Sequence, residues 1–110
     1  MADEAAWDVI DRLAAWLDRG NRVGGEMQTV LQILKISEEA GEVAEAVIGA
    51  IGQNPRKGFS HTWTDVQEEL CDVIVTAMVA LTRVTPDARA VFAEKLERIE
   101  RRALGEGVQG

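Results

Sequence analysis

The sequence predicts an all-α domain built from four helices, and three observations carry that expectation. Apolar residues recur at helical spacing in four separate stretches. The breaks between those stretches hold the glycines and both prolines that end helices. No stretch alternates apolar and polar residues as a half-buried strand does. At 110 residues, with 46% hydrophobic and 28% charged side chains, the chain fits one globular domain. Residues 1–104 are read as that domain and 105–110 as a flexible tail.

The first helix is expected from Asp3 to Asp18, with Trp7, Ile10, Leu13, Ala14 and Leu17 on its buried side. The segment Gly20-Asn21-Arg22-Val23-Gly24-Gly25 breaks it. The second is expected from Glu26 to Ile51, opening with the stripe Met27, Val30, Leu31 and Leu34. The loop from Gly52 to His61 contains Pro55 and Gly58 and is read as irregular. The third helix is expected from Thr64 to Arg83, with Thr64 and Gln67 spaced as a capping box. The fourth is expected to open at Thr85-Pro86-Asp87, with a threonine cap and proline at the first helical position, and to end near Ala103. These helices form a four-helix bundle, closed within one chain or between two. A domain this small buries only about 60–70% of its unfolded surface. Its extensive apolar faces point to a homodimer or homotetramer.

Composition narrows the function classes. Lys and Arg total 12 against 19 Asp and Glu, a net charge of −7. That balance argues against a nucleic-acid surface, which needs a basic stripe. A nucleotide substrate stays open, because a multivalent cation reverses the local sign of the potential. No uncharged apolar run approaches the length of a membrane span, and Met1-Ala2-Asp3-Glu4 lacks the start of a signal peptide. Cytoplasm is the expected location. Cys71, the one cysteine, lies in an apolar run and is read as a buried, inert thiol.

Acids interrupt the apolar pattern in two places. On the second helix the stripe Met27, Leu31, Leu34 continues into Glu38, Glu42 and Glu45, with Glu39 beside Glu42 on a shared side. On the third, the run from Leu70 to Leu81 reads as a buried helix, yet it contains Asp72, with Glu69 three residues earlier. Withdrawing an unpaired carboxylate from water costs several kcal/mol, about as much as a whole domain's margin of stability. A cation, a proton or a salt bridge must offset that cost, and Lys35 is the one basic residue near these acids in sequence. Two acid pairs, each spaced by three on neighbouring helices, bring hard oxygen donors together in the way Mg²⁺ or Mn²⁺ requires.

Glu38-Glu39-Ala40-Gly41-Glu42, followed after 26 residues by Glu69-Leu70-Cys71-Asp72, resembles the EExxE…ExxD signature of the MazG-like all-α nucleoside triphosphate pyrophosphohydrolases. Lys35 before the acids, Gly41 within them and the doubled acid Glu68-Glu69 extend the likeness, which covers roughly residues 28–102. The resemblance implies cleavage of ribo- or deoxynucleoside triphosphates to a monophosphate and pyrophosphate, as nucleotide-pool house-cleaning. It implies Glu39, Glu42, Glu69 and Asp72 as Mg²⁺ ligands, with Mn²⁺ as a substitute, and Glu38 as general base or outer-shell ligand facing the attacking water. Lys95 and Arg98 resemble the family's basic segment that meets the triphosphate. Lys35, Arg56 and Lys57 are further candidate phosphate donors. Trp63 and Trp7 could stack on a base, although tryptophans at helix starts commonly anchor a core.

Val75-Thr76 stands where phosphoribosyl-ATP pyrophosphatases of the same superfamily carry a Tyr-His pair, which argues against that role. The superfamily's dimeric dUTPases tend to be longer. A ferritin-like di-iron site needs Glu-x-x-His pairs, and the one histidine, His61, does not follow a glutamate by three. The competing reading is a non-catalytic helical interaction or nucleotide-binding module with a degenerate metal site.

Overall fold

A computed structural model describes residues 2–20 and 22–105, with side chains from Glu4 onward. The described residues are all-helical: α1 (Ala2–Gly20), α2 (Gly25–Ile51), α3 (Trp63–Val84) and α4 (Ala88–Ala103), with no strand among them. Asn21 of the first break and residues 106–110 of the expected tail lie outside the described residues. No helix is long and apolar enough to cross a membrane.

The helix α3 is the one the other three share. Its longest contact is with α2, and the pairings Gln32 with Thr76, Glu39 with Glu69, and Gly49 with His61 show the two helices running antiparallel. Small residues let them approach: Ala46 and Gly49 of α2 are buried. A Cβ at Gly49 would stand 2.2 Å from the His61 ring and 2.5 Å from the Ser60 hydroxyl. Only glycine lets the end of the loop lie on α2 without a shift. Gly52 closes α2 in the left-handed conformation, φ 66°, with its N–H on the Ile48 carbonyl.

The other contacts of α3 are with α1 and α4. Trp7, Ile10 and Ala14, spaced three and four apart, bury against Val79 and Ala88, with Leu13, Leu17, Met78 and Leu81 around them. Trp7 also meets Phe92 edge-on, ring centroids 6.2 Å apart. Burying each large apolar side chain is worth about 1.5–3 kcal/mol, so this cluster holds α1 in place. Two arginines fasten its ends. Arg89 reaches Glu4, Asp8 and Asp11 at 2.5–2.8 Å, acids that lie along one side of α1. Those bonds, to Asp8 foremost and then Asp11, hold its guanidinium even more firmly protonated than usual. Arg83, its side chain nearly buried, pairs with Asp18, which also accepts from Gln28 of α2.

Two expected helix starts differ in detail. At α3 the capping box is Thr62 with Asp65: the Asp65 N–H donates to Thr62 Oγ1 at 3.2 Å, and the Thr62 N–H donates to Asp65 Oδ2 at 2.9 Å. Thr64 and Gln67 have the same spacing, but a carboxylate is the stronger acceptor and suits the positive helix end. At α4, Thr85 is the residue that ends α3. Proline at 86 disfavours helical conformation at the residue before it, and Thr85 is accordingly extended at φ −149°. Its hydroxyl accepts from the Asp87 N–H, and α4 begins after Asp87.

The expected burial of the run 70–81 on all sides does not hold within one chain. Val79 and Ala80 are buried, whereas Leu70 and Ile74 are exposed, as is Cys71. Among the described residues no helix covers one side of α3, so the side chains there face solvent.

Candidate metal centre

The antiparallel register of α2 and α3 sets Glu39 opposite Glu69 and Asp72. One carboxylate oxygen from each lies within 4.8 Å of the others. Two of the three come from one helix at spacing three, which places them on adjacent turns. The third comes from α2 at the level where the helices touch. Three of the four expected ligands are thus brought together. Glu42 stands one turn further along α2, exposed, beside this group rather than in it. Its carboxyl is pushed above the ordinary range, chiefly by the charge of Glu39, then by partial desolvation and by Glu69 and Glu38.

Burial is distributed differently from the sequence expectation. Asp72 is exposed, not enclosed in a buried helix, because it sits on the open edge of the α2–α3 seam. The covered acids are its neighbours. The Glu39 side chain retains 12% of its exposure, and Glu69 Oε2 is fully shielded from solvent with no hydrogen-bond partner. A shielded, unpartnered carboxylate oxygen is costly to keep.

The one cation paired with this group, among the described residues, is Lys35. Its ammonium lies 3.2 Å from Glu39 and 3.3 Å from Glu38, each on the next turn. Those hydrogen bonds, Glu39 first, raise its pKa above the ordinary lysine value. Lys35 is therefore a counter-ion to the acids, a role its spacing of three and four from Glu38 and Glu39 makes visible in hindsight. Even so, the acids Glu38, Glu39, Glu42, Glu69 and Asp72 face a single lysine. The donor set is all hard oxygen. Ligands about 2.1 Å from one octahedral ion lie about 3–4 Å from each other, so these three oxygens fit one Mg²⁺ after a shift of less than an ångström or so. That cation would offset both the mutual repulsion and the orphaned Glu69 oxygen.

Among the remaining expected residues, Glu38 neighbours this group through Lys35, which it shares with Glu39, and the others are not paired with it. Glu38 is exposed and held by Lys35. Arg98 pairs with Glu94, one turn back on α4, and Lys95 is exposed on the same helix. Arg56 and Lys57 lie in the α2–α3 loop, where Lys57 borders a hollow of about 180 Å³ with Glu45, Asn54 and His61. Trp63 is exposed at the first position of α3, whereas Trp7 belongs to the core. His61 Nδ1 is 2.9 Å from the Ser60 hydroxyl, a contact between chain neighbours. Sequence reasoning did not single out Arg83 and Arg89, whose acid partners lie 65 to 85 residues away. The available signal was the acid series Glu4, Asp8, Asp11 on one side of α1.

Compared with known proteins, the chain matches no family model, no curated protein and no solved structure at a significant level.

Proposed function

We propose that this chain is a Mg²⁺-dependent pyrophosphohydrolase of (deoxy)nucleoside triphosphates, related to the MazG-like enzymes its acid motif resembles. The observation that carries the reading is the convergence of Glu39, Glu69 and Asp72, with the shielded Glu69 Oε2 lacking any partner. Glu39, Glu69 and Asp72 would hold the ion, and Glu42 could join them by a rotamer change, the ion's charge then offsetting its repulsion from Glu39. Mn²⁺ would substitute. The ion, when bound, neutralises phosphate charge and lowers the pKa of bound water.

The chain's own residues supply the rest. Lys35 bonds Glu38 and Glu39 together and so orients both carboxylates. Glu38, exposed beside the ligands, accepts a proton from the attacking water. Lys95, Arg98, Arg56 and Lys57 are the cations available to the triphosphate, and exposed Trp63 the ring available to its base. Such chemistry asks the protein chiefly to position and neutralise, which suits carboxylates on two rigid helices. House-cleaning of the nucleotide pool is the role that fits the reaction, and the cytoplasm the location.

The test is incubation with a panel of ribo- and deoxynucleoside triphosphates and Mg²⁺, with separate quantification of monophosphate and pyrophosphate. Both products, lost with EDTA and in folded Glu39→Gln and Asp72→Asn variants, are expected. Diphosphate with inorganic phosphate would put the cleaved bond elsewhere. No turnover of any nucleotide, with Mg²⁺ still bound, would favour a nucleotide-binding module over an enzyme.

A further inference from the structure

Helix α1 divides its charge between two sides, and one of them is left positive in an acidic chain. Its acids are occupied. Glu4, Asp8 and Asp11 meet Arg89, and Asp18 meets Arg83 and Gln28. Trp16 lies on the other side: Asp11 and Asp18, the acids nearest it in sequence, are about 140–160° away round the helix. Its neighbours one turn before and after are Arg12, Leu13, Arg19 and Gly20, with no carboxylate among them. Arg22 follows just past the helix end. All three arginines are exposed, and among the described residues none has an ion-pair partner. Trp16 itself is 61% exposed, so the core does not use its ring.

An open hollow of about 570 Å³ lies at this place, lined by Trp16, Leu17, Arg19, Gly20 and Arg22. Small-molecule sites range over roughly 300–1,000 Å³. Arg19, in the last turn, also suits the negative helix end. Arg12 in mid-helix and Arg22 beyond the end have no such duty, and three guanidinium charges outweigh the half charge of the terminal carbonyls. An exposed indole takes a flat ring by stacking. A guanidinium takes phosphate oxygens in pairs along its planar fork. A ligand that satisfies both carries an aromatic ring and phosphate on one small molecule.

We propose that this face of α1 is a nucleotide-binding site separate from the metal centre, with the base stacked on Trp16 and the phosphates against Arg19 and Arg22. Arg12 flanks the ring from the turn before. The site needs no divalent ion, because the cations that meet the phosphates are the protein's own. In that it differs from the metal centre, whose converging groups are all carboxylates. The inference does not rest on the proposed reaction, since none of these residues belongs to the metal centre and binding here requires no turnover. A long nucleic acid or an anionic membrane is disfavoured as ligand, because either would extend beyond three arginines onto a chain of net charge −7.

The test is isothermal titration calorimetry of the full chain in EDTA with ATP and CTP, alongside adenosine and inorganic tripolyphosphate. Both nucleotides should bind with sub-millimolar Kd. Adenosine and tripolyphosphate should bind at least tenfold more weakly, since each lacks one half of the ligand. Trp16→Leu should weaken ATP about five- to hundredfold, the range of one base–aromatic stack, and Trp16→Phe by less. Arg19→Gln should also weaken ATP and flatten the dependence of Kd on salt. Circular dichroism checks each fold, and should Trp16→Leu fail to fold, Arg19→Gln decides the matter. No binding of either nucleotide at millimolar concentration would overturn the proposal. So would unchanged affinity in the folded variants, or tripolyphosphate bound as tightly as ATP, which would leave a patch of charge without a base site. Adsorption to phosphatidylserine vesicles that is lost in the same variants, without nucleotide binding, would overturn it too and make this face a membrane contact.

Discussion

Replacing Glu69 by glutamine keeps the volume and shape of the side chain and removes one negative charge. That charge faces Glu39 and Asp72, with oxygens of all three within 4.8 Å of one another. Two unit charges about 4 Å apart repel by about 1 kcal/mol in bulk water and about 4 kcal/mol near a protein surface. Asp72 is exposed and Glu39 largely covered, so the lower part of that range applies, and salt reduces it further. Without divalent ions, Glu69→Gln should therefore stabilise the fold by about 1–2 kcal/mol, the sum of two relieved repulsions. For a chain of this size that is a rise in Tm of about 4–8 °C. The wild type should instead gain from Mg²⁺, by about 1.4 kcal/mol when the ion is at tenfold its dissociation constant. The variant should gain little. Thermal unfolding followed by circular dichroism, in EDTA and in a Mg²⁺ series, measures both effects. A variant less stable than the wild type in EDTA would refute the reasoning, because Glu69 would then be an ordinary structural carboxylate satisfied within the protein.

Other consequences can be read from the same geometry. Trp7→Ala removes the largest member of the α1–α3 core and should cost about 3–5 kcal/mol, measured by urea denaturation; a loss below about 1 kcal/mol would show α1 to be peripheral to stability. Gly49→Ala places a methyl group against the His61 ring and should cost about 1–3 kcal/mol, with the loop amides shifting in NMR spectra while those of α1 do not. Because Glu42 binds its proton more tightly folded than unfolded, its contribution to stability increases as pH falls through the raised folded value towards 4.5. Wild type minus Glu42→Gln in denaturation midpoints should show that slope between pH 7 and 5, and a flat difference would remove Glu42 from the reach of Glu39. Lys35→Met withdraws the one counter-ion and should destabilise the metal-free protein; Lys35 binds its proton more tightly when folded, so the deficit should be full below pH 10.5 and shrink above it.

The number and kind of helices were legible because apolar periodicity is a property of each segment alone. Their ends were less so. Thr62-Asp65 and Thr64-Gln67 both have capping spacing, and only the strength of the acceptor separates them. The Thr85-Pro86 pair was read as a start although proline also terminates whatever precedes it. The acid group was legible for a similar local reason, since spacing three on one helix sets a shared side. Opposing Glu39 to Glu69 and Asp72 needed only an antiparallel pair of consecutive helices. What the sequence could not convey was depth. Whether Asp72, Cys71 and Leu70 are covered depends on which helix lies over α3, and that is a long-range property. The roles of Arg83 and Arg89 were hard to read for the same reason: their partners are on α1, and the acid series there does not by itself name the cation it meets.

Manganese binding followed by electron paramagnetic resonance tests the metal centre most directly, because free Mn²⁺ is counted against bound ion without any assay of turnover. At least one Mn²⁺ per chain should bind to the wild type and be displaced by excess Mg²⁺, with affinity reduced tenfold or more in Glu39→Gln, Glu69→Gln and Asp72→Asn. Equal binding by all four proteins, or none by the wild type at millimolar Mn²⁺, would contradict the assignment of these carboxylates to a divalent cation.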